Sequence, residues 1–451
     1  TRSRAGVPRG PRTSAGLLSP TWERPGAHAV ASPPTTTTTT SAAGRADRGA
    51  IDGCSQAEDE QGEEPVPACL GLEADRARPL GVSAVSPLEA SARRLRELWV
   101  VWRSTGRRSP LTAPSFAAGD HDRGSVRHVV ALDAMGGDHA PAEVVAGAAD
   151  AARELEVHLL LFGREEEVAP LVPRDVADLI EVVHATEVIP MDDDPARSVR
   201  RKKDSSLVRA AEAVRDGRAV AMVSAGNTGA AMASALLRMG RIRGVARPAI
   251  ASFIPVPGGT PTVMLDAGAT VDCSPEWLVS FARMGAEMAR VRLGIPEPRV
   301  GLLCNGEEAG KGDTLRRATA ELLAGMPGFI GNVEGHDVLS DRVDVVVTDG
   351  FVGNVALKSM EGTATLFRGL IERVLSSSDA SPDLWKAFDE ALDEVDSDST
   401  GGAMLLGVDG VCVISHGASS ARAIVNAIRV AAECHQAGIV DRLKKVMGHA
   451  G

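Results

Sequence analysis

From Val129 onward, short β-branched and apolar runs alternate with amphipathic stretches, and a loop of Gly with Asp, Asn, Ser or His separates each run from the stretch after it. Val129 to Asp133 reads as a strand, followed by the loop Ala134 to Pro141 and a helix to about Leu155. Val157 to Phe162 and Ile180 to Val183 read as strands ahead of a helix from about Ser205 to Asp216. Ala219 to Val223 precedes the loop Ser224 to Gly229 and a helix through Leu237. Thr262 to Leu265 leads into Asp266 to Asp272, with Ser274 as N-cap and Pro275 opening the next helix. Val300 to Leu303 precedes a loop through Gly312, Val343 to Val347 precedes Asp349 to Asn354, and Val411 to Ile414 precedes Ser415 to Ser419. Such alternation predicts an α/β fold: a mostly parallel sheet with helices on both faces. Strand-to-helix loops of a parallel sheet gather at its carboxyl edge, where helix N-termini offer N–H groups and partial positive charge. Together the loops predict one anion-binding cleft, although each loop alone reads equally well as an ordinary turn.

Before Val129 the pattern is missing. Thr1 to Val126 is rich in Pro, Ser, Thr, Gly and Arg and contains the homopolymer Thr35 to Thr40. We expect a disordered, low-complexity extension over residues 1–126 and a catalytic domain over 127–451. Its one helical candidate is Leu88 to Trp102, where Leu95, Leu98, Trp99 and Trp102 could share a face. The stretch starts at Thr1 and has no Lys, which suits a translated upstream region. Its Arg and Ser content suits a transit peptide, against which Glu58, Asp59, Glu60, Glu63 and Glu64 count.

The net charge of -11 argues against nonspecific nucleic-acid binding, and it is concentrated after Val126. The first 126 residues hold 16 Arg and 14 acids, leaving 33 basic and 46 acidic residues, or -13, in the rest. An acidic partner therefore needs a local basic patch. No apolar run approaches the roughly 18 to 20 residues that span a bilayer, so a soluble or peripheral protein is expected. The six Cys, at 54, 69, 273, 304, 412 and 434, form no CxxC and no metal spacing, which fits reduced thiols in the cytoplasm and no metal.

Four segments, taken in order, carry a family resemblance: Ala131 to Pro141 (ALDAMGGDHAP), Val199 to Ser206 (VRRKKDSS), Val223 to Gly229 (VSAGNTG) and Val347 to Lys358 (VTDGFVGNVALK). Over about Val129 to Val446 the chain resembles the phosphate acyltransferases that act on acyl carrier protein. It departs from them at Thr270, where Asn is usual, at Cys304-Asn305, and at Thr400-Gly401-Gly402, where the family has Tyr-Gly-Gly. The resemblance implies a three-layer α/β/α sandwich like that of the isocitrate and isopropylmalate dehydrogenases, usually homodimeric. It further implies transfer of a fatty acyl group from acyl carrier protein to inorganic phosphate. A membrane acyltransferase would use the resulting acyl phosphate on glycerol 3-phosphate, at the inner face of the membrane.

Thioester-to-phosphate transfer needs a bound phosphate nucleophile, stabilisation of the carbonyl oxyanion and shielding from water, but no cofactor or covalent enzyme intermediate. No GxSxG, HExxH or GxxxxGK[ST] segment occurs. Lys203, with Arg200 and Arg201, is expected to neutralise phosphate, and Ser205, Ser224, Asn227 and Thr228 to donate hydrogen bonds to it. The glycines Gly136, Gly137, Gly226, Gly229, Gly268, Gly350 and Gly353 let backbone approach the ligand. Asn354 and Lys358, four apart at a helix start, are expected to face the cleft, with Lys358 on the carbonyl or phosphate. Asp133, Asp138, Asp266 and Asp349 at strand ends could orient a lysine or cap a helix. His139 and His416 could protonate the leaving thiolate or be ordinary loop histidines. Two other classes remain to be weighed: a dehydrogenase of the same fold, which lacks its GxGxxG here, and a noncatalytic carrier-protein scaffold. For the acidic donor the expected docking surface is Arg238, Arg241, Arg243 and Arg247, interleaved with Leu237, Met239, Ile242 and Val245.

Overall fold

A computed structural model describes residues 128–378, 380–393 and 401–448; the expectations for 1–126, including the helix at 88–102, lie outside the described residues. In β1 (Val129–Asp133) successive side chains point to opposite faces, so Val130 and Leu132 enter one apolar cluster and Ala131 the other. The same alternation in β5 (Ala249–Ile254) sends Ala251 and Phe253 one way and Ile250 and Ile254 the other. Both faces are therefore covered. The first face carries α1 (Ala142–Leu155), α5 (Pro275–Arg292), α6 (Thr314–Leu323), α9 (Ala421–Gln436) and α10 (Ile439–Gly448), and α8 (Pro382–Asp393) precedes α9 in the chain. The second carries α2 (Pro195–Arg201), α3 (Ser206–Arg215), α4 (Thr228–Arg238) and the first turns of α7 (Gly350–Ser377).

The remaining strands are β2 (His158–Gly163), β3 (Ile180–His184), β4 (Ala221–Ser224), β6 (Thr262–Leu265), β7 (Val300–Leu303), β8 (Phe329–Val333), β9 (Val345–Val347), β10 (Ala403–Leu406) and β11 (Val411–Ile414). They form one sheet in the order β3-β2-β1-β4-β11-β10-β5-β6-β9-β7-β8. Most pairings are parallel, as the alternating pattern predicts. The three central ones, β11 with β10, β10 with β5 and β5 with β6, are antiparallel.

Those three reversals correct the expectation of a single carboxyl edge. An odd number of reversals leaves β6, β9 and β7 running opposite to β1, β4 and β11. Their loops open on opposite edges of the sheet. With strands about 4.8 Å apart, β4 and β9 are also separated by roughly 24 Å across the sheet. The strands β5, β8 and β10, none of them among the expected elements, include the two that produce the reversal.

Candidate active site

The loops after β1, β4 and β11 meet at one edge. Asp138 N–H donates to Gly417 O at 2.7 Å, joining the first loop to the third, and Ser415 N–H donates to Ser224 O at 2.9 Å, joining the third to the second. The close approach is possible because Gly136 has no side chain: a Cβ there would lie 2.5 Å from Asp133 Oδ2 and 2.8 Å from Gly226 N. Gly137, at φ +119°, packs its backbone against Gly417 O and Ala225.

The side chains expected to hold phosphate are divided between the frame and the surface. Ser205 is fully buried and caps α3 by accepting Val208 N–H, so its expected contact with phosphate is corrected to a capping role. Ser224, also buried, donates to Asp133 Oδ2 at 2.8 Å and accepts Gly226 N–H at 3.0 Å. Asn227 caps α4 through Ala230 N–H, and its amide donates to Met191 O and Asp193 O at 2.8 and 3.2 Å. That amide thus ties the segment before α2 to the start of α4. Both Ser224 and Asn227 are spent on the scaffold rather than left to a ligand. Lys202 is likewise engaged, with Asp193 at 2.7 Å, and holds that carboxyl below the usual range.

What stays open to solvent is a different set. Thr228, Lys203, Arg200, Asp138, His139 and His416 are all exposed, and His416 Nδ1 accepts Ala418 N–H at 3.3 Å. In the first turn of α4, Ala230 takes the Asn227 side chain and Ala231 the Asn227 carbonyl. The N–H groups of Thr228 and Gly229 precede any i→i−4 acceptor. Gly229 is held close to α2, since a Cβ there would meet Pro195 Cγ at 2.6 Å.

At the opposite edge the loops after β6 and β9 close on themselves. Asp266, wholly buried, accepts the N–H groups of Ile250, Gly268 and Ala269 on Oδ1 and that of Thr270 on Oδ2. Burial raises its pKa and these four donors pull it back. Asp349 caps α7 by accepting Phe351 and Val352 N–H at 3.1 and 2.9 Å, while Gly350 N–H goes to Thr270 O. Buried Arg316, which sequence reasoning missed, donates to Asp349 Oδ2 at 2.5 Å and Thr348 Oγ1 at 3.2 Å. No periodicity marks Arg316, because the two partners at this edge, Thr348 and Asp349, lie more than 30 residues away, although Asp313 one turn earlier also pairs with it at 2.9 Å. With Gly350 to Gly353 already bonded, the start of α7 offers a ligand no free first-turn amide. Gly268, at φ +140°, lies against exposed Asn354, and Gly353 lies against the Asp266 backbone. Lys358 pairs with Glu361 at 2.8 Å and is half-exposed, on the edge of the sheet opposite to Lys203.

The basic docking surface also changes. Arg238 sits 3.5 Å from Glu212, Ile242 and Val245 are buried in the core, and Arg247 stacks over Trp277. Arg241, Arg243 and Arg247 are exposed. Glu307, Glu334 and His336 lie near enough to one another to hold a cation, but they are surface groups and Arg342 already pairs with Glu307. Among the described residues no helix is long and apolar enough to cross a membrane.

The family model described as "Fatty acid synthesis protein" matches residues 128–442. A phosphate acyltransferase of Desulforamulus reducens is 47% identical over 324 residues, covering 70% of this chain and 96% of that one. One from Pelotomaculum thermopropionicum is 48% identical over 326 residues, covering 70% and 94%. Among solved structures, a phosphotransacetylase from Streptococcus pyogenes aligns over 69% of this chain and 94% of its own, at 18% identity and a TM-score of 0.48. From the family match across the whole sheet and the near-complete coverage of these relatives, the chain belongs to the phosphate acyltransferase family, whose members are acyl-transferring enzymes.

Proposed function

We propose that the protein transfers a fatty acyl group from acyl carrier protein to inorganic phosphate, at the edge where β1, β4 and β11 end. The observation that carries this reading is the contrast between two helix starts. The first-turn amides of Thr228 and Gly229 in α4 are open, beside exposed Thr228, while those of α7 are consumed internally. A phosphate dianion is best held where N–H groups and the positive end of a helix are unspent. Lys203, exposed at the end of α2, supplies a mobile cation for the same anion.

In the reaction a phosphate oxygen attacks the thioester carbonyl carbon, the carbonyl oxygen takes up negative charge, and the tetrahedral species collapses by breaking the C–S bond. The leaving thiolate then takes a proton, for which His139 and His416, exposed on the loops after β1 and β11, are the candidates. The acyl phosphate passes to a membrane acyltransferase acting on glycerol 3-phosphate, so the enzyme works in the cytoplasm at the inner face of the membrane. A homodimer is supported by α7, where Leu366, Phe367, Leu370, Ile371 and Val374 form an exposed apolar stripe. The isocitrate dehydrogenase-like arrangement of the layers belongs to the same reading and is supported by the antiparallel centre of the sheet.

Trapping of the product as hydroxamate tests the reaction, with acyl carrier protein and coenzyme A thioesters run in parallel. Phosphate-dependent hydroxamate with the carrier-protein donor is expected. Lys203→Ala should raise the phosphate KM on the order of tenfold to a hundredfold, the loss of one charge-assisted hydrogen bond, with little change for the donor. Carrier protein that binds without turnover would instead mark a scaffold.

A further inference from the structure

Asp133 differs from the other strand-end carboxyl groups. Asp266 and Asp349 spend their oxygens on backbone N–H groups, with Arg316 added at Asp349. Asp133 is 3% exposed, and its Oδ2 accepts the Ser224 hydroxyl, but its Oδ1 is shut off from solvent and completes no hydrogen bond. Every group that faces this carboxyl is neutral: the Ser206 hydroxyl from the start of α3, the Ser224 hydroxyl from the loop after β4, and the Met135 N–H from its own loop. Burial with no cation alongside pushes its pKa up, and these three donors only partly offset the rise. If ionised, it would hold its charge in a low-dielectric interior with Oδ1 completing no hydrogen bond, beside a loop that is to receive a dianion, whereas a protonated Oδ1 can donate to the Ser206 hydroxyl that faces the carboxyl.

We propose that Asp133 is held as a neutral acid with its proton on Oδ1, and that it is a positioning residue which, through Ser224, sets the loop opening α4 to phosphate. This rests on the assignment of that helix start as the phosphate site. The Ser224 hydroxyl can give its hydrogen to only one acceptor. Because Asp133 Oδ2 takes it, a Ser224 lone pair is turned to Gly226 N–H at 3.0 Å. Gly226 is thereby fixed and Asn227 follows as the cap, which sets the position of the Thr228 and Gly229 amides that open α4. Gly136 belongs to the same device, since any side chain there would strike Asp133 Oδ2 and Gly226 N. Neutrality lets the carboxyl organise the loop without repelling what the loop binds.

The test compares wild type with Asp133→Asn, a neutral isostere, and with Asp133→Ala and Ser224→Ala. A carboxyl whose folded pKa lies above its unfolded value contributes stability at low pH that is lost as pH rises through the folded pKa. The melting temperature of Asp133→Asn minus that of wild type should therefore increase as pH rises from roughly 4, the ordinary carboxylate value. The similar rise of Asp266 is common to both proteins and cancels in the difference. In acyl-phosphate formation, and in thermal shift with inorganic phosphate, Asp133→Asn should bind phosphate within about threefold of wild type. Asp133→Ala and Ser224→Ala should bind it on the order of tenfold more weakly, the loss of one buried hydrogen bond. A melting difference that stays flat or falls with pH overturns the neutral acid. Phosphate binding by Asp133→Asn as weak as by Asp133→Ala overturns the positioning role. Should Asp133→Ala fail to fold, Ser224→Ala serves as the comparison. Should wild type make no acyl phosphate, the assignment of function fails, while the pH dependence of the melting difference still decides the protonation state.

Discussion

Asp266 and Asp133 are both buried at strand ends, yet the same substitution should affect them differently. All the hydrogen bonds to Asp266 come from backbone donors, three on Oδ1 and one on Oδ2. An amide in its place would set an NH2 group against at least one N–H, leaving buried donors unsatisfied. Asp266→Asn is expected to cost about 1–3 kcal/mol in urea unfolding at neutral pH. Asp133→Asn, which retains an acceptor for Ser224, should cost less. Equal losses at the two positions would mean that Asp133 is as dependent on its negative charge as Asp266.

α7 is 28 residues long, yet between Gly353 and Leu375 it has no buried residue. Val352, Ala356, Leu357 and Met360 lie against the second core cluster, whereas beyond Met360 Leu366, Leu370 and Val374 recur every four residues on a face with no cover. A stripe of that kind on a long helix is stable in water when a second copy covers it. Replacing Leu370 and Val374 together by Glu should shift the protein toward monomer in sedimentation equilibrium. The double variant should keep its circular dichroism spectrum, since neither residue enters the core. An unchanged mass distribution would assign the stripe to another partner.

For the molecule as a whole, folding is expected to rest on residues that begin at β1. Among the described residues the two apolar clusters cover both faces of the sheet, and the relatives match about 70% of this chain but nearly all of their own lengths. The composition of residues 1–126 offers little apolar surface to offset the entropy of ordering. A protein starting at Gly124 should therefore melt within a few degrees of the full chain and form acyl phosphate at the same rate. A large drop in melting temperature would show that the first part docks on the rest.

Local pattern determined much of this protein. The strands at Val129–Asp133, Thr262–Leu265, Val300–Leu303 and Val411–Ile414 follow from β-branched runs bounded by Gly and Asp, and the cap role of Asp349 from its place before an amphipathic stretch. Both kinds of signal act over a few residues. The four motifs likewise sufficed for the family. Strand direction was not legible, because β5 and β10 are short apolar runs whose pairing depends on partners far along the chain. Their antiparallel insertion splits the expected single cleft into two edges. Nor could sequence tell which polar side chains face a ligand. Ser224 and Asn227 carry the same donors whether they hold phosphate or their own scaffold, and only tertiary contacts with Asp133, Met191 and Asp193 decide between the two. Arg316 and Asp349 are distant in sequence and become a buried pair only when β7 and β9 lie side by side.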